Sequence, residues 1–342
     1  MNSIESADLI NKSEFNETKN YSNDELENQL DGWISEQSLE IDPSDISNDN
    51  NLIKVSFPNS PANEFLEDYK PPPPPSEINK LELFYEQLNN DEIESLILYR
   101  NEKEFITKIM GLIQNNKSLK YLFVNNCSAM IKSNKLSIDD LDIFEALCDN
   151  NSITHLCVDY NTFKEETIKS LSKLIQKNNT IQYLNLNHCF INDDNLKLIC
   201  EALKDNNTIT DINLGCNCIS IINPIYEMLK VNKTITKINL SYNQIKDLEP
   251  FINILQINNT LISINLCSNE IDDINVICKL IQQNISIEKI NLKNNKFKVI
   301  KPLYDIIENN NYTTNNILIK LNDNPIEDIE YIDKLFEKKF HY

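Results

Sequence analysis

The amino-acid sequence predicts an α/β fold, a right-handed solenoid horseshoe with parallel strands on the concave face and helices on the convex face, preceded by a disordered acidic arm. Three observations carry that expectation. A short apolar motif recurs, its first position falling at Ile93, Leu119, Ile153, Ile181, Ile209, Ile235, Leu261 and Ile287. The successive spacings are 26, 34, 28, 28, 26, 26 and 26 residues. Between copies, apolar residues follow the period of an amphipathic helix. The first 75 residues show neither pattern.

The cleanest copy runs from Thr234 to Ile245, with Ile235, Ile238, Leu240 and Ile245 apolar and Asn243 at the ninth position. Alternate residues of a strand point to opposite sides, so Ile238 and Leu240 face the core while Lys237, Asn239 and Ser241 face outward. Asparagine recurs at the ninth position at 101, 161, 217, 243, 269, 295 and 324, with Cys127 and Cys189 in its place twice. There it can satisfy backbone groups where the chain bends away from the strand. A fixed period with this pattern is that of a leucine-rich repeat. A degenerate ninth copy passes through Ile319, Leu321, Asn324 and Ile326. Helical faces follow the strands: Ile168, Leu171, Leu174 and Ile175; Leu196, Ile199, Cys200 and Leu203; Ile277, Leu280 and Ile281. Each runs into a polar break such as Asp205-Asn206-Asn207-Thr208. Repeats of this length with a full helix resemble the ribonuclease-inhibitor type.

Taken in order, residues 1–75 form an acidic arm rich in Ser and Asn, expected to be disordered. It holds one hydrophobic island, Leu52-Ile53-Lys54-Val55-Ser56-Phe57-Pro58. Pro71, Pro72, Pro73, Pro74 and Pro75 form a run that predicts a stiff polyproline II segment. It reads as a rigid spacer, or as a ligand for an SH3, WW or profilin-type partner. Residues 76–92 carry Ile78, Leu81, Leu83, Phe84 and Leu88, a cap helix for the open end of the first strand. The repeats fill residues 93–326, with an enlarged convex segment around Ser128 to Leu136, and residues 327–342 close the far end through Ile329, Ile332, Leu335 and Phe336.

Lys54-Val55-Ser56-Phe57 resembles the basic-x-Val-x-Phe docking motif of protein phosphatase 1 regulators. On an extended strand Val55 and Phe57 share one side, and two pockets beside a partner's sheet edge can take them. Burying two such side chains gives about 3–6 kcal/mol against about 1–2 kcal/mol for each backbone residue fixed, so flanking contacts must add to it. Phe65 and Leu66 follow at the distance of the hydrophobic pair seen in these regulators. The arginine that sometimes comes next is absent, Arg100 being the chain's only one. The order of parts is similar to that of the protein phosphatase 1 regulatory subunit 37 family: a Val-Ser-Phe-Pro segment, a short acidic linker, a helical cap, then repeats. That resemblance implies a regulatory subunit that inhibits or retargets the phosphatase catalytic subunit.

A second candidate surface lies on the concave face, where Tyr121, Phe123, His155, Tyr160, Tyr183, His188 and Tyr242 are set to meet a protein partner. Later rungs present Lys289 and Lys293. The row Asn185, Asn213, Asn239, Asn265 and Asn291 reads as a solvated strand face.

Composition narrows the function. The 342 residues carry a net charge of −20, which disfavours nucleic acid and anionic membranes. The first 80 residues hold 17 acids against 5 bases, so the arm is the most acidic part. No signal peptide or membrane span is apparent, and nine cysteines in no disulfide framework suggest a reducing compartment, the cytoplasm or the nucleus. Sequons such as Asn206-Asn207-Thr208 and Asn232-Lys233-Thr234 read as chance products of an Asn-rich chain. With three glycines and three histidines, the sequence shows no phosphate loop, no Gly-flanked serine nucleophile and no metal-ligand spacing. The expectation is a non-enzymatic, monomeric protein-binding scaffold without metal or cofactor. The alternatives are a GTPase activator resembling the Ran GTPase-activating proteins, an actin-linked adaptor resembling tropomodulins, or a general leucine-rich-repeat adaptor.

Overall fold

In a computed structural model of the chain, residues 52–55, 75–99, 103–125, 143–251, 257–283, 286–308 and 317–332 are described. The chain divides into two units, Met1–Asn48 and Asp49–Tyr342, and the described residues belong to the second. Strands and helices alternate as far as β7: β1 (Leu52–Val55), α1 (Pro75–Asn89), β2 (Ser95–Tyr99), α2 (Lys103–Ile113), β3 (Tyr121–Asn125), α3 (Ile143–Leu147), β4 (His155–Cys157) and α4 (Glu165–Lys177). Then follow β5 (Tyr183–Asn185), α5 (Asp193–Leu203), β6 (Asp211–Asn213), α6 (Asn223–Val231), β7 (Lys237–Asn239), β8 (Ser263–Asn265), α7 (Ile274–Gln283), β9 (Lys289–Asn291), α8 (Lys301–Glu308) and β10 (Leu318–Lys320). The ten strands form one parallel sheet in chain order. This is a leucine-rich-repeat solenoid. No described helix is long and apolar enough to cross a membrane.

The repeat register explains the core. Ile238 stands opposite Ile212 and Ile264 in neighbouring strands. All three are at most 1 % exposed, as are Ile235, Leu240 and Ile245. Each such side chain contributes about 1.5–3 kcal/mol by leaving water. The helices close the layer with the expected faces, Ile168, Leu171, Leu174 and Ile175 on α4 and Leu196, Ile199, Cys200 and Leu203 on α5. Helix α5 starts where Asn192 accepts from the Asn195 backbone N–H, with Asp193 and Asp194 in its first turn.

Asparagine holds the turns. The ninth-position Asn243 donates from Nδ2 to the carbonyls of Leu214 and Leu240, at 3.0 and 3.1 Å, and its Oδ1 accepts from the Ile219 N–H of the preceding repeat. Asn217, Asn269 and Asn295 repeat the arrangement. Cys189 keeps part of it, its Sγ donating to the Val158 carbonyl.

A second ladder at the other bend was not expected. Asn116, Asn150, Asn178, Asn206, Asn232 and Asn258 each lie three residues before a first apolar position and are at most 7 % exposed. Asn232 donates to the carbonyls of Leu203 and Asn206, both at 2.8 Å, while its Oδ1 accepts from the N–H groups of Thr234 and Ile235. Each of these asparagines opens an Asn-x-Ser/Thr triplet. Those sequons are therefore a structural element and not chance. A glycan on such a nitrogen would displace a buried donor.

The Asn row on the strands is a third ladder rather than a solvated face. Asn185, Asn213, Asn239, Asn265 and Asn291 each accept through Oδ1 from the N–H two residues on, at 2.9–3.1 Å. Asn239 and Ser241, expected to face solvent, are only 1 % and 2 % exposed. Adjacent rungs on the inside of the curve leave little room. A Cβ at Gly215 would meet Asn187 Oδ1 at 2.9 Å and Ser241 Oγ at 3.1 Å.

The ends differ from expectation. Leu52–Val55, read as part of a disordered arm, forms β1 and pairs with β2. Its pattern of alternating apolar residues suits an edge strand as well as a docking segment. Pro75 opens α1 rather than ending a polyproline helix, since proline fits the first turn. At the far end Ile329 is 64 % exposed, not capping, although Tyr331 and Ile332 pack on the core. Pro71–Pro74, the segment around Ser128 to Leu136, Leu335 and Phe336 lie outside the described residues.

Asn232→Ala takes a hydrogen bond from four backbone groups, the carbonyls of Leu203 and Asn206 and the N–H groups of Thr234 and Ile235, and is expected to cost about 2–4 kcal/mol, whereas Asn207→Ala at the exposed neighbour costs under about 0.5 kcal/mol. Urea unfolding of both variants measures this.

Candidate partner-binding face

The third position of each rung opens its strand on the concave side, and three consecutive rungs place rings there. Tyr121, His155 and Tyr183 are in register on β3, β4 and β5. The Tyr121 and His155 ring centroids are 4.7 Å apart, and those of His155 and Tyr183 are 5.7 Å apart and stacked. Thr154 Oγ1 contacts His155 Nδ1 at 2.9 Å and so orients the imidazole. Tyr183 is buried, the others half-buried, so the ladder is inlaid rather than projecting. Phe123 is half-buried beside it, in register with the buried Cys157.

The eighth position supplies a second column. It carries positive φ in every described rung from Tyr160 (55°) through His188, Cys216, Tyr242, Ser268 and Asn294 to Asp323 (62°). Left-handed backbone costs a non-glycine residue about 1–2 kcal/mol, least for Asn and Asp. The chain ends the series with Asn294 and Asp323, yet places Tyr160, His188 and Tyr242 at the same bend. Tyr160 stacks on His188 at 4.8 Å and 19°, and His188 meets Phe190 edge-on at 5.5 Å. Phe190, 59 % exposed, was not foreseen because it lies beyond the strand and bend positions. Tyr242, 42 % exposed, stands two rungs away from these rings and not among them.

Asp159, also unforeseen, lies at the seventh position between the columns. Its Oδ1 is enclosed and accepts no hydrogen bond. The residue as a whole is half-buried. Burial lifts its carboxyl to about 7, only partly offset by its own backbone N–H. Its charge in turn opposes ionisation of Tyr160, Tyr183, Cys157 and Cys189, which places all four close by. Burial first, then Asp159, pushes the Tyr160 hydroxyl up to about 12. The only hint in the sequence is an acid in a column that elsewhere reads Asn187, Gly215, Ser241, Cys267 and Lys293.

Two other concave acids are each paired with a lysine. Lys237 meets Asp211 at 2.9 Å, and Lys293 meets Asp323 at 3.2 Å. An open groove of about 520 Å³ near the strand starts is lined by Asn151, Thr154, Asn179, Gln182, Asn207, Thr210 and other neutral polar residues. It offers hydrogen bonds and no ionisable group.

Of the docking segment, Lys54 and Val55 lie in β1, in register with Ile97 and Leu98. Phe57, Phe65 and Leu66 lie outside the described residues.

No protein-family description and no curated protein matches the chain. Among solved structures it is similar to an internalin from Listeria monocytogenes, at 22 % identity and a TM-score of 0.47, over 73 % of this chain and 60 % of that one. The chain thus spans less than two thirds of that structure. A second internalin of the same organism, internalin C2, matches at 18 % identity and a TM-score of 0.38, over 56 % of this chain and 71 % of that one. The actin-binding site 2 of leiomodin-1 matches at 21 % identity and a TM-score of 0.37, over 42 % of this chain and 86 % of that one.

Two outcomes follow from the face itself. Because the Asp159 carboxyl is raised, folded chains keep its proton where unfolded chains have lost it, and stability is lost as pH rises from about 4 to about 7. Asp159→Asn is therefore expected to gain about 2–4 kcal/mol over the parent, the gap opening across that window and levelling off above it, in melting curves taken at stepped pH. Tyr242→Asn relieves the left-handed bend and should stabilise by about 0.5–1 kcal/mol in the same assay.

Proposed function

We propose that the chain is a non-enzymatic protein-binding scaffold that holds a partner on the concave face of β3 to β5. The observation that carries this is the aromatic column at the left-handed bends. Tyr160 and His188 keep bulky rings where Asn or Gly costs less, and such strain persists where a site uses it. The rings are stacked and so pre-organised, which lowers the entropy lost on binding.

The second role in this reading is docking of the protein phosphatase 1 catalytic subunit by Lys54, Val55 and Phe57, with Phe65 and Leu66 adding contact. It rests on the Val-Ser-Phe-Pro segment and on the order of parts. The place of β1 at the end of the sheet supports it, since an end strand has one neighbour to give up. Val55 shares the register of Leu98, a core position, so docking exchanges β2 for the phosphatase's sheet edge. Affinity is the difference between two pairings, which keeps it modest. Ran-type GTPase activation and actin-linked adaptor function have no residue on this surface to recommend them over a general adaptor.

Calorimetry of the phosphatase catalytic subunit with the full chain tests the docking role. Binding at micromolar Kd or tighter, lost in Val55→Ala/Phe57→Ala, is the expected result. No heat with the intact chain removes the phosphatase and leaves a scaffold whose partner meets the concave face.

A further inference from the structure

We propose that the open groove along the starts of β4, β5 and β6 binds a neutral, extended polysaccharide. The inference goes beyond the protein-binding reading and rests on neither of its surfaces. The groove lies apart from β1, and none of the concave rings lines it.

Three features converge. The first is a set of carboxamides with no structural duty. Asn151, Asn179 and Asn207 hold the same position in three consecutive repeats, each next to a buried turn asparagine. With Gln182 they line the groove, and all four side chains are exposed and have no partner among the described residues. Each offers N–H donors and a carbonyl acceptor. The second is a row of hydroxyls whose protons are committed within the fold. Ser152 Oγ donates to the Asn116 carbonyl at 2.8 Å, Thr180 Oγ1 to Asn178 Oδ1 at 3.2 Å, and Thr210 Oγ1 to an Asp211 carboxylate oxygen at 2.6 Å. All three residues are only half-buried, and their oxygens keep lone pairs for a donor from outside. A ligand in this groove of about 520 Å³ must therefore both donate and accept along its length, as sugar hydroxyls do. The third is charge. The corresponding positions carry Lys117 and Lys120 one repeat before the groove and Lys233 one repeat after it, while every residue lining the groove is neutral. The net charge of −20 disfavours an anionic chain as well.

Spacing decides between a sugar chain and a peptide. Strands β4, β5 and β6 are paired in register, so the groove's groups recur at the strand spacing of about 4.7–4.9 Å. An extended peptide turns like groups to one side only at every second residue, about 6.6–6.8 Å, and falls out of step after one rung. A proline-rich segment has no N–H to give the hydroxyl oxygens. A pyranose unit in an extended chain advances by close to one rung, so successive sugars meet the same groups in successive repeats.

The test is an NMR titration of the full chain with cellohexaose, an extended neutral glucose chain, following the side-chain amide resonances of Asn151, Asn179, Gln182 and Asn207. Those resonances are expected to shift, with a Kd of about a millimolar or tighter. Maltohexaose, the same sugar in a coiled chain, and the carboxylated hexagalacturonate should each bind about tenfold more weakly or not at all. Asn179→Ala/Gln182→Ala should weaken the cellohexaose response about tenfold, while Asn259→Ala, at the same repeat position beyond the groove, leaves it unchanged. No response to cellohexaose, or an undiminished one in the double variant, overturns the site. Maltohexaose binding as tightly overturns the extended form of the ligand, and hexagalacturonate binding as tightly overturns its neutrality. An uncharged peptide of Ser and Thr binding as tightly overturns the assignment to sugar. The ligand comparisons use the unaltered chain, so they stand even if a variant folds poorly. The phosphatase calorimetry reads the end of the sheet, so either proposal can fail without the other.

Discussion

The structure depends on one constraint: each repeat turns the chain twice inside a layer that excludes water, and each turn strands backbone N–H and C=O groups. Leaving one such group unpaired costs about 1–3 kcal/mol, against a net stability of about 5–15 kcal/mol for a whole domain. Asparagine solves this because its short amide donates and accepts at once. At Asn243 the amide ties its own repeat to the preceding one at the strand's exit. At Asn232 it does the same at the helix's exit. Both ladders run between neighbours, so they add cohesion along the solenoid as well as closing each turn. The recurrence of asparagine within the repeats is thus a consequence of the architecture.

The same ladders decide where the sequence is free to vary. The inner strand positions are crowded, as Gly215, Asn239 and Ser241 show, and serve the backbone. The third and eighth positions escape that duty. Between β3 and β5 they hold tyrosine and histidine, and further along Asp211, Lys237, Ser268 and Asn294. Chemistry that is not required for folding is concentrated in those two columns, and Asp159 sits between them. The bend conformation itself is shared by the described repeats from Tyr160 to Asp323, so strain at Tyr160 and His188 reflects the residue chosen and not a local distortion.

Much of this was legible in the sequence, because a repeated pattern averages out local ambiguity. Ile235, Ile238 and Leu240 could be placed on the core side from period alone, and so could the inner faces of α4 and α5. Position nine was readable since Asn recurs there. The second ladder was equally periodic, but Asn232 looked like loop composition, because loops and buried Asn turns use the same residue. Strand β1 escaped notice for the opposite reason. Four residues without a repeat around them read equally well as a free ligand or an edge strand, and only pairing with β2 distinguishes the two. Asp159 gave no periodic signal, since its meaning comes from lacking the lysine that Asp211 has.

Position along the solenoid then separates two kinds of binding. Each rung is held only by its neighbours, so a rung in the middle is fixed from both sides and one at the end from a single side. The rings on β3, β4 and β5 lie within the sheet, with β2 before them and β6 after. A partner bound there would meet a surface already formed. At β1 the backbone has β2 alone, so an end strand is the least costly element to release. A ligand at that end must first offset the lost pairing. On the proposed reading, affinity at the inner face is therefore sensitive to side-chain substitutions on β4 and β5, while affinity at the end is sensitive to anything that strengthens or weakens the union of β1 with β2.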